Sequence, residues 1–350
     1  MDLVHQLEQS LYVKSRVGRA AALRVAYLAY AVTLSRGGAG KPRKQAVEAL
    51  RRRMEALFAL DYQDAERGLY PRALIDSLPW RGYLKVLPDL LADLPRTRLR
   101  IQQDRFDEVP EGAQERYPRY YARNFHFQTD GYLGHTSARL YDLQVEMLFG
   151  GTADVMRRRL IPPVVEAARA SSTRSANRPP RILDVACGTG RLLSMLGAAL
   201  PRAAYTGVDL SPHYISHARR ALPGSLDVSL LVENGEHLPF EDGRFDVATC
   251  LYLFHELPRD VGQRVLAELV RVVRPGGRVV LGDSVQLRDT PELEPELRAF
   301  PVRFHEPYYL GYIQDDLAKR AREAGLVVES EKAHFLTKVV VGRKEEAARA

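Results

Sequence analysis

The chain has 350 residues, of which 45% are hydrophobic and 27% charged, as in a soluble globular protein. This length allows one large domain or two of ordinary size, and the formal net charge is +7. The most apolar early run, Val25–Leu34, is far shorter than the roughly 20 residues that cross a bilayer, and the first residues do not resemble a signal peptide.

The charge is unequally divided along the chain. Residues 1–180 hold 29 basic and 20 acidic residues (+9), whereas residues 181–350 hold 22 and 24 (−2). A basic half suits a membrane surface, an acidic substrate or nucleic acid, but the arginine-rich, alanine-rich composition of a GC-rich genome is the favoured explanation. Cys187 and Cys250 fall in a turn and a buried strand, which favours free thiols and a reducing, cytoplasmic setting. No cysteine–histidine cluster has zinc spacing, so no metal site is expected.

Residues 1–137 are predicted to form a helical domain. Apolar side chains recur at helical spacing, most clearly over Lys44–Leu60. A turn is expected at Ser35–Pro42, and four prolines predict breaks between two or three shorter helices (Pro71, Pro79, Pro88, Pro95). This domain would pack against the rest, cover its pocket or form an oligomer contact.

Residues 117–135 are rich in aromatic side chains and include Tyr121, His126 and His135. One interpretation is an aromatic substrate wall that contains a histidine, and the other is ordinary aromatic packing. Residues 138–180 would be entry helices and a linker. They hold Tyr141-Asp142, a bend at Gly150-Gly151 and a helix over residues 152–170 that Pro162-Pro163 kinks or breaks.

Residues 181–343 alternate strands and helices, which predicts a parallel α/β sheet, and residues 344–350 form a tail. The last two predicted strands are close enough in sequence to pair as an antiparallel edge. The predicted strands are 181–186, 204–209, 226–233, 245–251, 278–283, 326–332 and 336–342, with helices at 191–200, 212–222, 262–273 and 315–324.

A short apolar run, Ile182–Ala186, leads into the glycine turn Cys187–Gly190 and then an amphipathic helix. Glycines permit a sharp turn and a close ligand, and the helix directs its N–H groups at that ligand. A dinucleotide fingerprint would need glycine where Leu193 stands, and Asp184 would repel a pyrophosphate. A carboxylate at the end of this strand suits a cationic ligand instead.

This turn resembles motif I of the class I S-adenosylmethionine (SAM) dependent methyltransferases, and residues 138–343 follow their pattern, most closely that of the quinone-biosynthesis type. The resemblance implies a Rossmann-like, seven-stranded, mostly parallel sheet with helices on both faces, beside the N-terminal helical domain. It also implies SAM as cofactor, bound through the residues that follow the strands: Asp184, Ala186, Gly188, Gly190, Asp209, Leu210, Asn234, Gly235 and Leu251.

Some of these residues have competing interpretations. Asp209 lies where an acidic side chain accepts ribose hydroxyls, but it could also cap the next helix. Asn234-Gly235 would bond the adenine in the family, although a glycine here departs mildly from the family's alanine and Asn-Gly also forms turns. Tyr141 would lie near the cofactor and pocket, or simply pack.

The chemistry needs alignment and exclusion of water, and a base only where the acceptor loses a proton. His255 resembles the second histidine of the family's Leu-His-His-Leu pattern, whose first histidine is Phe254 here. It is interpreted either as a general base or as a purely structural histidine. His255 and His126 are the leading candidates for a base, with His135 and His305 as others, and Tyr121, Tyr141, His305 and Tyr308 would line the substrate pocket.

We expect a methyltransferase whose acceptor is a small molecule or lipid-like compound, possibly aromatic, methylated on O, C or N. A nucleic-acid methyltransferase is the first alternative, but the residues after the fourth strand match neither the Asn/Asp-Pro-Pro-Tyr/Phe motif nor a Pro-Cys nucleophile. A non-catalytic SAM-binding partner protein is the second alternative. Peripheral membrane contact and an oligomer are both compatible with the sequence.

Overall fold

The computed structural model describes residues 3–34, 43–76, 80–103, 105, 107–174 and 178–346. They form two compact units. A helical unit consists of residues 1–68, 72–156 and 290–307, and a sheet unit consists of residues 69–71, 157–289 and 308–350. Within the described residues, no helix combines the length and the apolar character that crossing a membrane requires. The predicted turn at Ser35–Pro42 lies outside the described residues.

The amino-terminal part of the helical unit contains six α-helices and the start of a seventh among the described residues. They are α1 (Leu3–Leu34), α2 (Lys44–Glu66), α3 (Ala73–Asp76), α4 (Trp80–Gln103), α5 (Ala113–Arg116), α6 (His135–Leu148) and the start of α7 (Ala153–Arg158). A later segment, residues 290–307, joins the same unit and carries a helix at Glu294–Phe304. Its Glu296 forms an ion pair with Arg43, the residue before α2, at 2.8 Å, and its Glu292 forms one with Arg53 of α2 at 2.9 Å. The helical unit is therefore assembled from separate parts of the sequence, and the predicted boundaries at residues 137 and 180 stay a prediction.

The prediction that Pro88 and Pro95 break the chain into short helices is wrong, because α4 continues through both. Both prolines lie on the exposed side of α4. The carbonyl groups that lose a partner at a helical proline are those four residues earlier, which belong to the exposed Leu84 and Leu91. Water can satisfy such groups, so the cost of each proline is reduced. By contrast, Pro162-Pro163 fall in the first turn of α8 (Ile161–Arg174), where proline is tolerated. The helical conformation is interrupted just before them, between Arg158 and Ile161.

The sheet unit confirms the predicted α/β architecture. Seven strands lie in the order β3-β2-β1-β4-β5-β7-β6, parallel except for β7, which is antiparallel to both of its neighbours. The strands are β1 (Arg181–Val185), β2 (Ala204–Asp209), β3 (Val228–Val232), β4 (Phe245–Leu251), β5 (Val273–Ser284), β6 (Leu326–His334) and β7 (Thr337–Lys344). The flanking helices are α8, α9 (Arg191–Ala199), α10 (Pro212–Ala221), α11 (Arg259–Val272), α13 (Tyr309–Gln314) and α14 (Leu317–Glu323), and α12 is the helix Glu294–Phe304 of the helical unit.

The start of β5 differs from the prediction, which ended a helix at residue 273 and began the strand only at residue 278. Val273 already pairs with Phe245, and the register then shifts before Arg278 pairs with Val247. A methyl group at Gly277 would lie 2.7 Å from the carbonyl oxygen of Asp246, so only glycine fits this irregularity. The strand thus keeps its place beside β4 despite the Pro-Gly-Gly sequence.

Candidate active site

The turn after β1 has the left-handed backbone conformation at three of its residues. Ala186, Gly188 and Gly190 have φ angles of 58°, 54° and 77°. The turn is fixed by hydrogen bonds from the Cys187 N–H to the Val208 carbonyl (3.0 Å) and from the Gly190 N–H to the Cys187 carbonyl (2.9 Å). A left-handed alanine is uncommon and costs free energy, so it persists only where neighbouring contacts impose it. Ala186 and Gly188 are partly exposed, so a ligand can approach them.

Asp209, at the end of β2, links this turn to the next one. One carboxylate oxygen accepts the Gly188 N–H and the other accepts the Ser211 N–H, each at 2.9 Å. The helix-capping role considered for Asp209 belongs to Ser211, whose hydroxyl accepts the Tyr214 N–H at the start of α10. Burial raises the pKa of Asp209 to about 6, against the lowering effect of the bonds from Ser211 and Gly188. Asp209 therefore fixes the position of the glycine turn through its carboxylate. The same side chain places an acidic group at the carboxyl edge of the sheet.

Asp184 lies inside the sheet rather than at its surface. Its side chain is buried, and its Oδ1 accepts the Thr249 hydroxyl of the neighbouring strand β4 at 2.7 Å. Burial raises the pKa of Asp184 to about 7, the Thr249 bond lowers it, and the charge of Asp209 raises it further. Two nearby carboxyl groups that are both reluctant to ionise favour a cationic ligand, because its charge would stabilise both carboxylates.

Asn234 and Gly235 follow β3 in a turn of their own. The Asn234 Oδ1 accepts the Glu236 N–H at 2.9 Å, and its amide donates to the Glu236 carboxylate at 3.2 Å. The turn-forming role weighed for this pair is thus present. A methyl group at Gly235 would lie only 3.0 Å from Val185 of β1, so the packing here favours glycine over alanine. Leu210 and Leu251, at the ends of β2 and β4, are partly exposed.

The residue after β4 has the same left-handed backbone conformation as Ala186 in the turn after β1. Tyr252 has a φ of 57°, and its N–H donates to the Gly282 carbonyl of β5 at 2.8 Å. Because β1 and β4 are adjacent, Ala186 and Tyr252 place two strained residues at the carboxyl ends of neighbouring parallel strands. This is the point where the strand order reverses, and open α/β sheets bind their ligands there.

His255 follows Tyr252 in a short turn and is held by Asp283 at the end of β5. The Nδ1 of His255 lies 2.6 Å from Oδ1 of Asp283. The other oxygen of Asp283 accepts the Phe254 N–H at 2.7 Å, and Asp283 is fully buried. The rings of Tyr309 and Tyr312 pack edge-on to His255 at 5.9 and 6.1 Å.

Asp283 is a residue that our sequence analysis missed. It was placed in the predicted strand 278–283 and given no role, although an acidic residue at the carboxyl end of a parallel strand was the available signal. Since a carboxylate is an acceptor, the hydrogen of neutral His255 sits on Nδ1, and Nε2 is the basic nitrogen.

The remaining candidates divide between the two units. In the helical unit, His126 Nε2 forms an ion-pair contact of 2.9 Å with the buried Glu306, and His126 and His305 both have a φ of 51°. Tyr121 and Phe125 stack on Tyr132, with ring centroids 6.1 and 5.3 Å apart, and Tyr141 meets Tyr132 edge-on at 6.1 Å. His135 is exposed at the start of α6. Tyr308 belongs to the sheet unit.

The packing behind the turn explains the missing third glycine. Leu193 of α9 is fully buried, and a methyl group on Gly207 of β2 would lie 2.8 Å from it. In a dinucleotide-binding fingerprint, a glycine on the helix lets the helix pack closely on the strand. Here the helix carries Leu193, and Gly207 on β2 leaves the space for it. Both cysteines are free thiols, as expected, and Cys187 in the turn is buried as well as Cys250 in its strand.

Known proteins match this part of the chain. Residues 182–277 match a family described as a methyltransferase domain. The demethylmenaquinone methyltransferase of Thermus thermophilus is 37% identical over 142 residues, or 40% of this chain and 59% of that protein. The phthiotriol/phenolphthiotriol dimycocerosates methyltransferase 1 of Mycobacterium ulcerans is 34% identical over 165 residues, or 47% of this chain and 55% of that protein.

Among solved structures, a SAM-dependent methyltransferase from Methanosarcina mazei aligns with 51% of this chain and 98% of its own, at 20% identity and a TM-score of 0.40. The chain spans only somewhat more than half the length of these two curated relatives.

The strand order, the glycine turn and the family match together define a class I methyltransferase domain in this chain. The resemblance noted in the sequence is thereby confirmed at the level of the domain, and SAM is the methyl donor of this class. The residues predicted to bind it and to catalyse the transfer remain predictions.

Proposed function

We propose that the protein transfers the methyl group of SAM to a small-molecule or lipid-like acceptor. The observation that carries the proposal is the carboxyl edge of the sheet, where Asp209 holds the glycine turn and Asp283 holds His255. The relatives support the acceptor class, since their names specify a quinone precursor and a complex lipid. The two buried free cysteines support a reducing compartment, the cytoplasm.

The residues after β1, β2, β3 and β4 would hold SAM, which supplies a methyl group on a positively charged sulfur with a good leaving group. Asp184 and Asp209 fit this ligand because each gains from a nearby cation. The partly exposed turn Ala186–Gly188 leaves room for the ligand against the main chain. Gly190 is required by packing, since a methyl group there would lie 3.2 Å from Ala218. Leu210, Asn234, Gly235 and Leu251 would complete the site.

His255 would act as general base. Its Nε2 would take the proton from a hydroxyl of the acceptor as that group, or the carbon it activates, attacks the methyl group. The imidazolium formed would be stabilised by Asp283, which also keeps the ring in one orientation. His126 with Glu306 is a second histidine–carboxylate pair with the chemistry of a base. Tyr121, Tyr141, His305 and Tyr308 are retained as proposed pocket residues.

Titration calorimetry with SAM, followed by transfer of labelled methyl groups, tests this proposal. We expect SAM to bind and demethylmenaquinol to accept the label, while bulk RNA and DNA remain unlabelled. Binding of NAD in place of SAM would overturn the cofactor. Labelling of nucleic acid alone would favour a nucleic-acid methyltransferase. SAM binding without transfer to quinols, phenols or nucleic acid would favour a non-catalytic partner protein.

A further inference from the structure

Helix α4 of the helical unit buries three polar side chains and exposes four of its leucines. The buried face consists of Leu90, Asp93, Thr97, Arg100 and Ile101. Of these, Leu90 packs with Leu140, Leu143 and Met147 of α6. The orientation of α4 in the unit is therefore fixed by a face that is largely polar.

Hydrogen bonds fix that orientation. Asp93 accepts the Thr129 hydroxyl at 2.6 Å and the Thr97 hydroxyl at 3.2 Å. Arg100 donates to Thr129 at 2.6 Å and to Thr97 at 3.2 Å. A buried charge keeps its partners because leaving one unpaired is costly, so α4 cannot rotate to hide its leucines.

The opposite face forms an exposed apolar stripe. Leu84, Leu91 and Leu99 are 63%, 56% and 46% exposed, and Leu87, Pro88 and Pro95 are exposed between them. At 100° per residue these six positions fall within about 120° of the helix circumference. Single exposed leucines are ordinary, but a continuous stripe along one helix usually marks an interaction site.

The charges beside this stripe are basic. Lys85 and Arg96 are exposed beside it, and Arg98 is exposed within the same arc, among its leucines. Within residues 82–103 the two acidic side chains are engaged elsewhere, Asp89 with Arg139 and Asp93 with Thr97 and Thr129. An apolar stripe bordered by lysine and arginine is the pattern of a helix that lies in the interface of a membrane with anionic lipids.

We propose that the exposed face of α4 docks the protein on an anionic lipid surface. The leucines would enter the boundary of the acyl chains, and Lys85, Arg96 and Arg98 would bind lipid phosphates. A second copy of the chain fits less well, because a two-fold contact between these faces would bring identical basic groups together without acidic partners from the described part of the helix. This docking would place an enzyme where water-insoluble acceptors reside, but it stands independently of methyl transfer.

Flotation of the full chain with vesicles tests the proposal. One set of vesicles contains phosphatidylcholine alone, and the other contains phosphatidylcholine with phosphatidylglycerol. We expect binding to the anionic vesicles that weakens as salt is added. The variant L84E/L91E should lower that affinity by at least about tenfold, because it removes two leucines that would insert into the lipid and adds two negative charges that the anionic surface repels. The variant K85E/R98E should weaken binding mainly at low salt.

The control is V327E, which places one glutamate at an exposed apolar position of the sheet unit, and it should bind as the wild type does. Circular dichroism of each variant confirms that it is folded. Equal binding to both vesicle types, or full binding by L84E/L91E, would overturn the proposal. So would a wild-type dimer that L84E/L91E dissociates while neither protein floats, which would assign the stripe to self-association. None of these readouts depends on SAM or on turnover.

Discussion

The Nδ1 of His255 lies 2.6 Å from Oδ1 of Asp283, across the gap between the carboxyl ends of β4 and β5. The same carboxylate receives the backbone N–H groups of Phe254 and Ser284 at 2.7 and 2.6 Å, so the acid cannot move without moving the loop that carries the histidine. This arrangement fixes one tautomer of the imidazole, and the other ring nitrogen, Nε2, lies 3.8 Å from Oε1 of Glu256.

Replacing His255 with alanine should lower kcat by about 10²–10⁴-fold, since that is the usual contribution of a general base. The KM for SAM should change little, because the proposed cofactor contacts are elsewhere. Asp283→Asn should lower kcat less and change the pH profile of kcat, since the amide no longer enforces the tautomer. The exposed His237 offers a matched control, and its alanine variant should keep wild-type kcat. An unchanged kcat in His255→Ala would show that no base acts from this position.

Asp209→Ala should weaken SAM binding by at least about tenfold, the loss expected for one charged hydrogen-bond acceptor. Asp209→Asn should have an intermediate effect, because a single amide oxygen can accept from Gly188 or from Ser211 but holds neither as a carboxylate does. Calorimetry measures both affinities, and circular dichroism checks that the fold persists. Wild-type affinity in Asp209→Ala would refute the ribose-binding role.

SAM affinity should rise with pH through the neutral range. The pKa of Asp184 is raised to about 7, so the carboxyl is largely protonated below that pH and ionised above it. A cationic ligand favours the ionised form, so binding should be tighter at about pH 8 than at about pH 5 and should release protons at intermediate pH. Calorimetry in buffers of different ionisation enthalpy measures this release. An affinity independent of pH would contradict the role of Asp184.

Thr249→Val isolates the cause of that dependence. The Thr249 hydroxyl lowers the pKa of Asp184, so its removal should move the midpoint of the SAM affinity curve to higher pH. Ionising a buried acid opposes folding, so the free energy of unfolding attributable to Asp184 should be largest at low pH and fall as the pH rises through about 7. In Asp184→Asn this fall should disappear, which urea unfolding at two pH values would measure.

Gly207→Ala should lower the free energy of unfolding by about 1–3 kcal/mol, because its methyl group would lie 2.8 Å from Leu193 and 2.7 Å from Leu230. Gly311→Ala is the matched control. That glycine is in α13 with open space around it, and alanine there should be neutral or stabilise by about 0.5–1 kcal/mol. Urea denaturation of both variants decides the matter, and equal stability of the two would contradict the packing explanation for Leu193.

The strands of the sheet unit could be predicted because buried parallel strands are continuous apolar runs that end at acidic residues or glycine turns. Their carboxyl ends also predicted the candidate site, since parallel topology brings those ends to one edge. Prolines misled the prediction at Pro88 and Pro95, where the cost depends on whether the freed carbonyl groups face water. Sequence spacing does not contain that information.

Contacts between distant segments could not be predicted at all. The bond from Thr249 to Asp184 joins neighbouring strands, and its effect on the pKa depends on burial that only the packed sheet provides. The ion pairs Arg43–Glu296 and Arg53–Glu292 join residues that are more than 230 positions apart in the sequence. Asp283 could have been predicted as a candidate site residue, because it ended a predicted strand. Its role, however, depends on the position of His255, which the sequence does not give.

The discontinuity of the helical unit has a consequence for how the chain matures on the ribosome. Its amino-terminal helices are synthesised first, yet residues 290–307, which complete the unit, are translated only after most of the sheet strands. At about 5–20 residues per second this segment emerges many seconds after α2. We expect nascent chains cut before residue 290 to expose the helical unit to protease, and chains extended beyond residue 307 to resist it.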